Sequence, residues 1–531
     1  MPPADTFRPL TSSDFSFIGF DDLMMSVAET LQEVGIRSGP PQVSVIENAI
    51  FVPGAKVPTN DPEIGRFVHE GGIVTQDGEL VELAQTRRSG TRWGTRVLGG
   101  VVEPGVIEPA RVIEEEVVYL GWCFQHFGHF LMESLTRTWI LGDIDPSVKV
   151  LFHTKLPRIA SGERALSAAT QRILELFGIP LDRIIFPQEP TWLRRVIVPE
   201  SLHELSYGSH EQFPRRYRQV ASSIAGDATP SAQPVYLSRR LLPSHLRQIV
   251  GEFEVEEILR DNGFLIAYPE TMAFEDQIRL INRHTDIFTT AGSAAYNVLF
   301  ALHRPRLHML TSEVPRADYF LTPAVAETPT TYLNFLGRGG RPAINKTPAI
   351  VEISKFVDYL DTRGLLKKRL RASLASRDRN LQTTFDEAWF YVMVQDVPAD
   401  ETLAPDVEAD ALVLARSSWP LSLILAQYYQ KRNDTRFDDL ARQFVDLARE
   451  ESDIGRLAKF CEDVESAAID IILSCSPEVA ELLTSVLLDR FLLDGAEIRR
   501  RAKRRNAYRE SQGSRPGRRS AQRTAAGQRR S

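Results

Sequence analysis

Between residues 235 and 310 the chain alternates between short apolar runs and stretches of helical period. Val235–Leu237, Phe264–Tyr268, Asp286–Thr290 and Arg306–Leu310 read as strands. Phe253–Asp261, Phe274–His284 and Tyr296–Leu302 read as the helices between them, the first closing on Asn262-Gly263. Strands and helices in this alternation predict an α/β fold with a parallel sheet, one half of a Rossmann-like arrangement. Few other architectures accept such a pattern, so the remaining chain is read around it.

A second α/β region precedes it. Residues 1–42 read as a leader with one short helix near Asp22–Val34, ended by Gly35. From Val43 to about Gly100, short alternating runs and the Asp77-Gly78 turn signal indicate strands and hairpins. Arg111–Leu120 is a further strand, and Val148–His153 has the length and polarity of a buried one. Helix Glu163–Phe177 closes on Gly178, and strands Arg183–Phe186 and Arg195–Val198 follow. The domain 43–225 is thus a mainly parallel α/β unit. Gly226–Pro234 reads as a linker into the domain 226–345. Beyond about Ile350 the strands stop. Leu365–Leu374, Asp386–Val394, Pro420–Gln430, Phe437–Glu450, Ile454–Ile472 and Glu478–Leu493 read as amphipathic helices of a separate all-α module, 350–498.

Charge is unevenly spread. The 531 residues carry a net −7, yet from Arg499 to Ser531 there are thirteen Arg or Lys and one acid, Glu510, which is 13 − 1 = +12. The rest therefore carries −7 − 12 = −19. The tail 499–531 has too few large apolar residues to form a core and reads as disordered. Its cations suit anionic lipid or nucleic acid, or only solvent. No run of about 18 apolar residues indicates a membrane span, and Met1–Phe15 has no secretory pattern. Three dispersed cysteines, Cys123, Cys461 and Cys475, fit a reducing, cytoplasmic setting.

Chemistry is concentrated at strand ends. In open parallel sheets ligands bind beyond the carboxyl ends of the strands. In the second region those ends carry Ser238-Arg239-Arg240, then Glu270, then Gly292-Ser293-Ala294-Ala295 with Asn297 behind. Two guanidiniums suit a diphosphate, a carboxylate suits ribose hydroxyls, and a small-residue turn opening a helix offers N–H groups to phosphate. Singly, a pair of arginines also serves as a solvated face, and a Gly-Ser turn as only a turn. Together, on three successive strand ends, they indicate a nucleotide-like ligand. No dinucleotide fingerprint follows the first strand and no Walker-type loop occurs, which argues against an NAD enzyme. In the first region, Val117–Leu120 leads to Gly128-His129-Phe130-Leu131-Met132-Glu133-Ser134-Leu135-Thr136-Arg137. Helical spacing stacks His129, Glu133 and Arg137 on one face. Such a stack serves acid–base chemistry, or a ladder tying the helix to its neighbours. His126, His129 and Glu133 also have a spacing that can ligate metal, and Asp143-Ile144-Asp145 reads as a metal-binding pair or a polar turn.

In order and spacing, four stretches resemble glycosyltransferase family 61. Residues 128–137 are similar to its Gly-His-aromatic-Leu-Leu-Glu-x-Leu-Pro-Arg stretch, and Tyr236-Leu237-Ser238-Arg239-Arg240 to its Tyr-Ile-Ser-Arg-Arg strand end. Gly263-Phe264 to Glu270, then Glu275-Asp276-Gln277, resembles its Gly-Phe, Glu and Glu-Gln element. Ala291 to Phe300 resembles its His-Gly-Ala-Gly-Leu-Thr-Asn-Leu-Leu-Phe segment. The resemblance spans roughly residues 43–340. Thr136 stands for the family's Pro, Ala291 for a common His, and Ala294 for its second Gly.

The resemblance implies two facing Rossmann-like domains of the GT-B type and an inverting transfer from a nucleotide sugar to a glycan or lipid-linked hydroxyl. It implies no cofactor and no essential metal. His129 is then the base with Glu133 orienting it, or Glu133 is itself the base. Arg239, Arg240 and the Gly292–Ser293 turn hold the leaving group, Glu270 the nucleoside and Asn297 the phosphate or turn. The expected setting is surface-polysaccharide or capsule synthesis in the cytoplasm, peripheral to the inner membrane face, with no specific nucleic acid. The alternative is a degenerate transferase core serving as a scaffold through its helical module and basic tail.

Overall fold

The computed structural model describes residues 7–58, 67–88, 96–98, 108–154, 166–226, 229–242, 249–337, 339, 348–367, 374–398, 401–450, 471–472 and 475–490. The basic tail and most of the predicted helix 454–472 lie outside them. Two compact units divide the chain. The first comprises 1–239, 254–336 and 355–369; the second comprises 240–253, 337–354 and 370–531.

In chain order the strands are β1 (Phe7–Pro9), β2 (Ser16–Ile18), β3 (Gly35–Arg37), β4 (Val43–Pro58), β5 (Phe67–Val74), β6 (Thr86–Arg88) and β7 (Arg96–Leu98). Then come β8 (Arg111–Cys123), β9 (Lys149–Thr154), β10 (Ile184–Ile185), β11 (Thr191–Pro199), β12 (His203–Glu204) and β13 (Gly208–His210). The later strands are β14 (Val235–Leu237), β15 (Ile249–Val250), β16 (Leu265–Ala267), β17 (Asp286–Thr290), β18 (Arg306–Leu310) and β19 (Thr330–Leu333).

The first unit holds two large sheets. One runs β10-β9-β8-β11-β4-β5-β7-β6. Its half from β10 to β11 is parallel, and β4 joins β11 antiparallel, continuing into β5 as the hairpin signals predict. The apolar run in β8 explains its central place: from Val117 to Cys123 every residue is buried. The other sheet runs β16-β14-β17-β18-β19-β2 and is parallel throughout.

Two predicted boundaries differ. The segment read as a leader supplies β2, which pairs with β19 through Phe17 opposite Tyr332. It also supplies β1 and β3 to a small sheet with β13 and β12. Aromatic packing explains this: Phe15 and Phe17 lie 5.4 and 6.2 Å from Phe320, so burying them against the second sheet removes large apolar surface from water. The segment read as a linker is tied as well, since Ser231 N donates to Arg283 O at 2.6 Å. One apolar core also joins the two sheets, which were expected to head separate domains. It includes Leu120, Phe130 and Leu131 from the first and Phe300, Leu307 and Met309 from the second.

The second unit carries helices Leu374–Asp396, Pro405–Ala415, Trp419–Gln430, Arg436–Glu450 and Pro477–Arg490. Trp419–Gln430 is apolar nearly all round and buries ten of its residues, which makes it this unit's centre. The unit is not purely helical, because β15 pairs in parallel with the strand Ala349–Val351. Helix Pro405–Ala415 escaped the sequence reading, whose apolar positions there follow no helical stripe.

After β8 the chain does not form the regular α-helix that the spacing predicts. Phe127–His129 makes one α-turn, Phe130–Ser134 widens to a π-helix, and Thr138–Gly142 tightens to a 3-10 helix. Side chains take carbonyls along this stretch: Tyr217 Oη donates to Leu131 O at 2.6 Å and Thr136 Oγ1 to Glu133 O at 3.1 Å. Arg137 consequently leaves the predicted ladder. It is 1% exposed, with Nε donating to Pro199 O at 3.0 Å and Nη2 to Leu83 O and Gln85 O, each at 2.9 Å. Truncating it leaves three carbonyls without this donor. Arg137→Ala is expected to cost about 3 kcal/mol or more in urea denaturation of the full chain, with Arg137→Lys recovering only part because an ammonium lacks the planar fork.

Candidate functional site

The order of the second sheet defines where a ligand fits. From β14 the chain steps outward to β16, then returns to the other side of β14 to form β17. The connections therefore diverge between β14 and β17, and beyond the carboxyl ends at such a switch point open parallel sheets bind their ligands. Ser238 and Arg239 follow β14, and Ala291 to Ser293 follow β17. Arg239 Nη1 donates to Ala291 O at 3.2 Å. A Cβ built on Gly292 would lie 2.4 Å from that same Nη1, so the glycine is what admits the guanidinium. The segment beyond, Ser293–Phe300, winds as a 3-10 helix.

That winding decides the place of Asn297. At three residues per turn, Asn297 shares a face with Phe300, and it is only 1% exposed. Its Nδ2 donates to Gln277 Oε1 at 3.0 Å, and Gln277 Nε2 donates to Pro269 O at 2.8 Å. Asn297 therefore braces the turn Pro269–Thr271, on which Glu270 stands exposed beyond β16. A second tie was missed from sequence. Glu256, buried on helix Glu252–Asp261, accepts from Ser238 Oγ and from Tyr268 Oη, both at 2.7 Å. Its signal was an acid on the apolar face of that helix, beside Val255 and Leu259.

Arg240, expected beside Arg239, opens the second compact unit. There its guanidinium lies 5.6 Å from the centre of the Phe253 ring. A cation–π contact holds it.

The histidine segment borders the Gly–Ser turn. His129 Nδ1 and Glu133 Oε2 are 2.5 Å apart; the His129 side chain is 39% exposed and that of Glu133 only 3%. The carboxylate thus sits behind the imidazole, fixing its orientation and leaving Nε2 as the other ring nitrogen. Phe124 N donates to Ser134 Oγ at 2.9 Å, which closes the loop from β8 onto this segment. A Cβ on Gly128 would come within 3.1 Å of Ser293 Cβ and 3.4 Å of the Tyr296 ring. The two elements meet so closely here that a methyl group would have to push its neighbours back by a few tenths of an ångström. His126, exposed, lies 5.2 Å from His129 ring to ring, and its pKa is lowered by partial burial and by His129.

Of the predicted trio His126, His129 and Glu133, Glu133 meets His129 at Nδ1 instead of standing beside it as a third ligand. Among the described residues no three His, Cys, Asp or Glu groups are placed to hold a metal ion. Asp143 to Asp145 is a polar turn, where Asp145 Oδ1 accepts from Ser147 N at 2.8 Å and Ser147 Oγ at 2.7 Å.

Fold and site together define an α/β protein whose parallel sheet reverses its order of strands between β14 and β17, with a histidine–glutamate pair close to the turn after β17. Residues 127–309 match the family model described as Glycosyltransferase 61. Comparison with curated proteins returned no match. The matched stretch is narrower than the resemblance predicted from residues 43–340, but it contains His129, Glu133, Arg239, Arg240, Glu270, Gly292, Ser293 and Asn297.

Restoring a side chain at Gly292 tests the crevice. Gly292→Ala is expected to displace the Arg239 guanidinium, the mobile end of a long side chain, at little cost in stability. Thermal denaturation should change by less than about 1 kcal/mol. Calorimetric affinity for a nucleoside diphosphate should fall at least about tenfold.

Proposed function

We propose that the protein is an inverting glycosyltransferase. It moves a sugar from a nucleotide-sugar donor to a hydroxyl of a glycan or glycoconjugate, in surface-polysaccharide or capsule assembly. The supporting observation is the contact of Gly128 with Ser293, beside the Gly292–Arg239 pair. A base and a cation then border one crevice, as a displacement with a charged leaving group requires.

His129 Nε2 takes the proton of the acceptor hydroxyl. Glu133 holds Nδ1–H and stabilises the imidazolium that forms. The acceptor oxygen attacks the anomeric carbon from the face opposite the diphosphate. The new C–O bond forms as the bond to the diphosphate oxygen breaks, and Arg239 meets the negative charge that develops there. Glu133 as the base fits less well, because it lies behind His129 and is nearly inaccessible. Glu270 suits the ribose hydroxyls, with Asn297 and Gln277 holding its turn. The mechanism requires no metal; cations of the protein carry that role.

No helix among the described residues is long and apolar enough to cross a membrane. Contact with a lipid-linked acceptor at the inner face of a membrane is assigned to the basic tail 499–531. A catalytically degenerate scaffold has no specific observation in its favour.

The test is transfer or hydrolysis across a panel of nucleotide sugars. The wild-type protein should turn over at least one donor, and His129→Ala should lower kcat by about 100-fold or more with diphosphate affinity retained. Turnover insensitive to that substitution removes His129 from the mechanism. Glu133→Gln should also lower kcat, and a rate equal to wild type would show that Nδ1 needs no carboxylate.

A further inference from the structure

We propose that Arg316 is a second cation on the donor's diphosphate, acting across the crevice from Arg239. This rests on the donor reading given above. A diphosphate leaving group develops charge on more than one oxygen, and a single guanidinium leaves part of it unmatched. Arg240, the expected partner, is engaged with Phe253.

Arg316 stands beyond the carboxyl end of β18, the strand paired with β17 on the side away from β14. It is therefore the next strand end along from Gly292–Ser293, at the rim where ligands of such sheets bind. Its side chain is exposed, and no carboxylate pairs with it among the described residues. Its backbone, by contrast, is fixed. Arg316 caps helix Ala317–Val325, and Asp318 in that helix's first turn is 3% exposed. Asp318 accepts from Ser206 N at 2.6 Å and Ser206 Oγ at 3.2 Å, and lies 3.5 Å from His203 Nε2. The turn between β12 and β13 thus holds the start of the helix.

One ring connects this arginine to the site. Tyr319, whose N donates to Arg316 O at 2.9 Å, stacks on Tyr296 at 5.3 Å and 15°. Tyr296 is the ring that Gly128 abuts. Burial raises the Tyr319 pKa, while Arg239 and Arg316 both act to lower it, which puts the two guanidiniums within electrostatic reach of the same phenol. An unpaired cation on an anchored turn, acting on the same Tyr319 phenol as Arg239, is suited to an anion with two charged centres. Arg316 lies outside the stretch matched by the family model.

Calorimetry of the intact chain with uridine, guanosine, cytidine and thymidine diphosphates and their monophosphates tests this. Arg316→Ala should weaken the bound diphosphate about tenfold and its monophosphate by less than about threefold, with Arg316→Lys between. Arg304→Ala, an exposed arginine paired with Glu327, is the control and should bind as wild type. An Arg316→Ala protein that melts as wild type and binds diphosphate within twofold of it overturns the inference, and Arg239→Ala losing affinity in the same series would leave the donor reading standing. Equal weakening of monophosphate and diphosphate also overturns it. If the wild-type chain binds none of the diphosphates, the donor reading itself fails.

Discussion

Two missing side chains hold the site together. Gly128 lets the histidine segment close on Ser293 and Tyr296, and Gly292 lets Arg239 close on the turn after β17. A Cβ at Gly292 would fall 2.4 Å from Arg239 Nη1 and one at Gly128 3.1 Å from Ser293 Cβ, so both close approaches rest on the missing side chains. The shared core behind them supplies the force. Phe274 lies 6.0 Å from Phe127 and 5.3 Å from Phe300, so the apolar surface of both elements is buried in one place.

Rigid ties around that contact set the direction of each functional group. Arg137 anchors the end of the histidine segment through three carbonyls. Tyr217 and Thr136 take carbonyls of its π-helical turns, a geometry that recurs at functional sites. On the other side, Glu256 joins the ends of β14 and β16, while Asn297 and Gln277 support the Glu270 turn. Asp318 does the same for the strand end beyond, by gripping Ser206, which adopts φ +58° to present its N–H. Most of these ties join residues 12 or more positions apart, which fixes the loop ends against one another.

Much of the architecture was legible in the chain because its causes are local. Apolar runs of three to seven residues became strands, and the helices predicted to close on Gly178 and Gly263 do so with positive φ at both glycines. The His129–Glu133 contact also follows from spacing, since residues four apart meet in the widened turn as they would in a regular one. The pattern failed where side chains answer to distant partners. Arg137, four residues beyond Glu133, turns to carbonyls of Leu83, Gln85 and Pro199; Asn297 turns inward with Phe300; and residues 16–18 complete a sheet more than 300 positions away. No window of sequence contains those partners.

Composition and periodicity by themselves determined that the chain is an α/β protein, where its strands end, and which residue types stand there, because hydrophobic pattern and turn chemistry act over a few positions. Tertiary structure alone decided which of those ends converge. The order of strands sets the switch point, the packing of two sheets on one core brings Gly128 against Ser293, and an anchor from β12–β13 fixes the helix start that carries Arg316. Those outcomes depend on contacts between segments far apart in the chain, where burial of shared apolar surface outweighs any local preference.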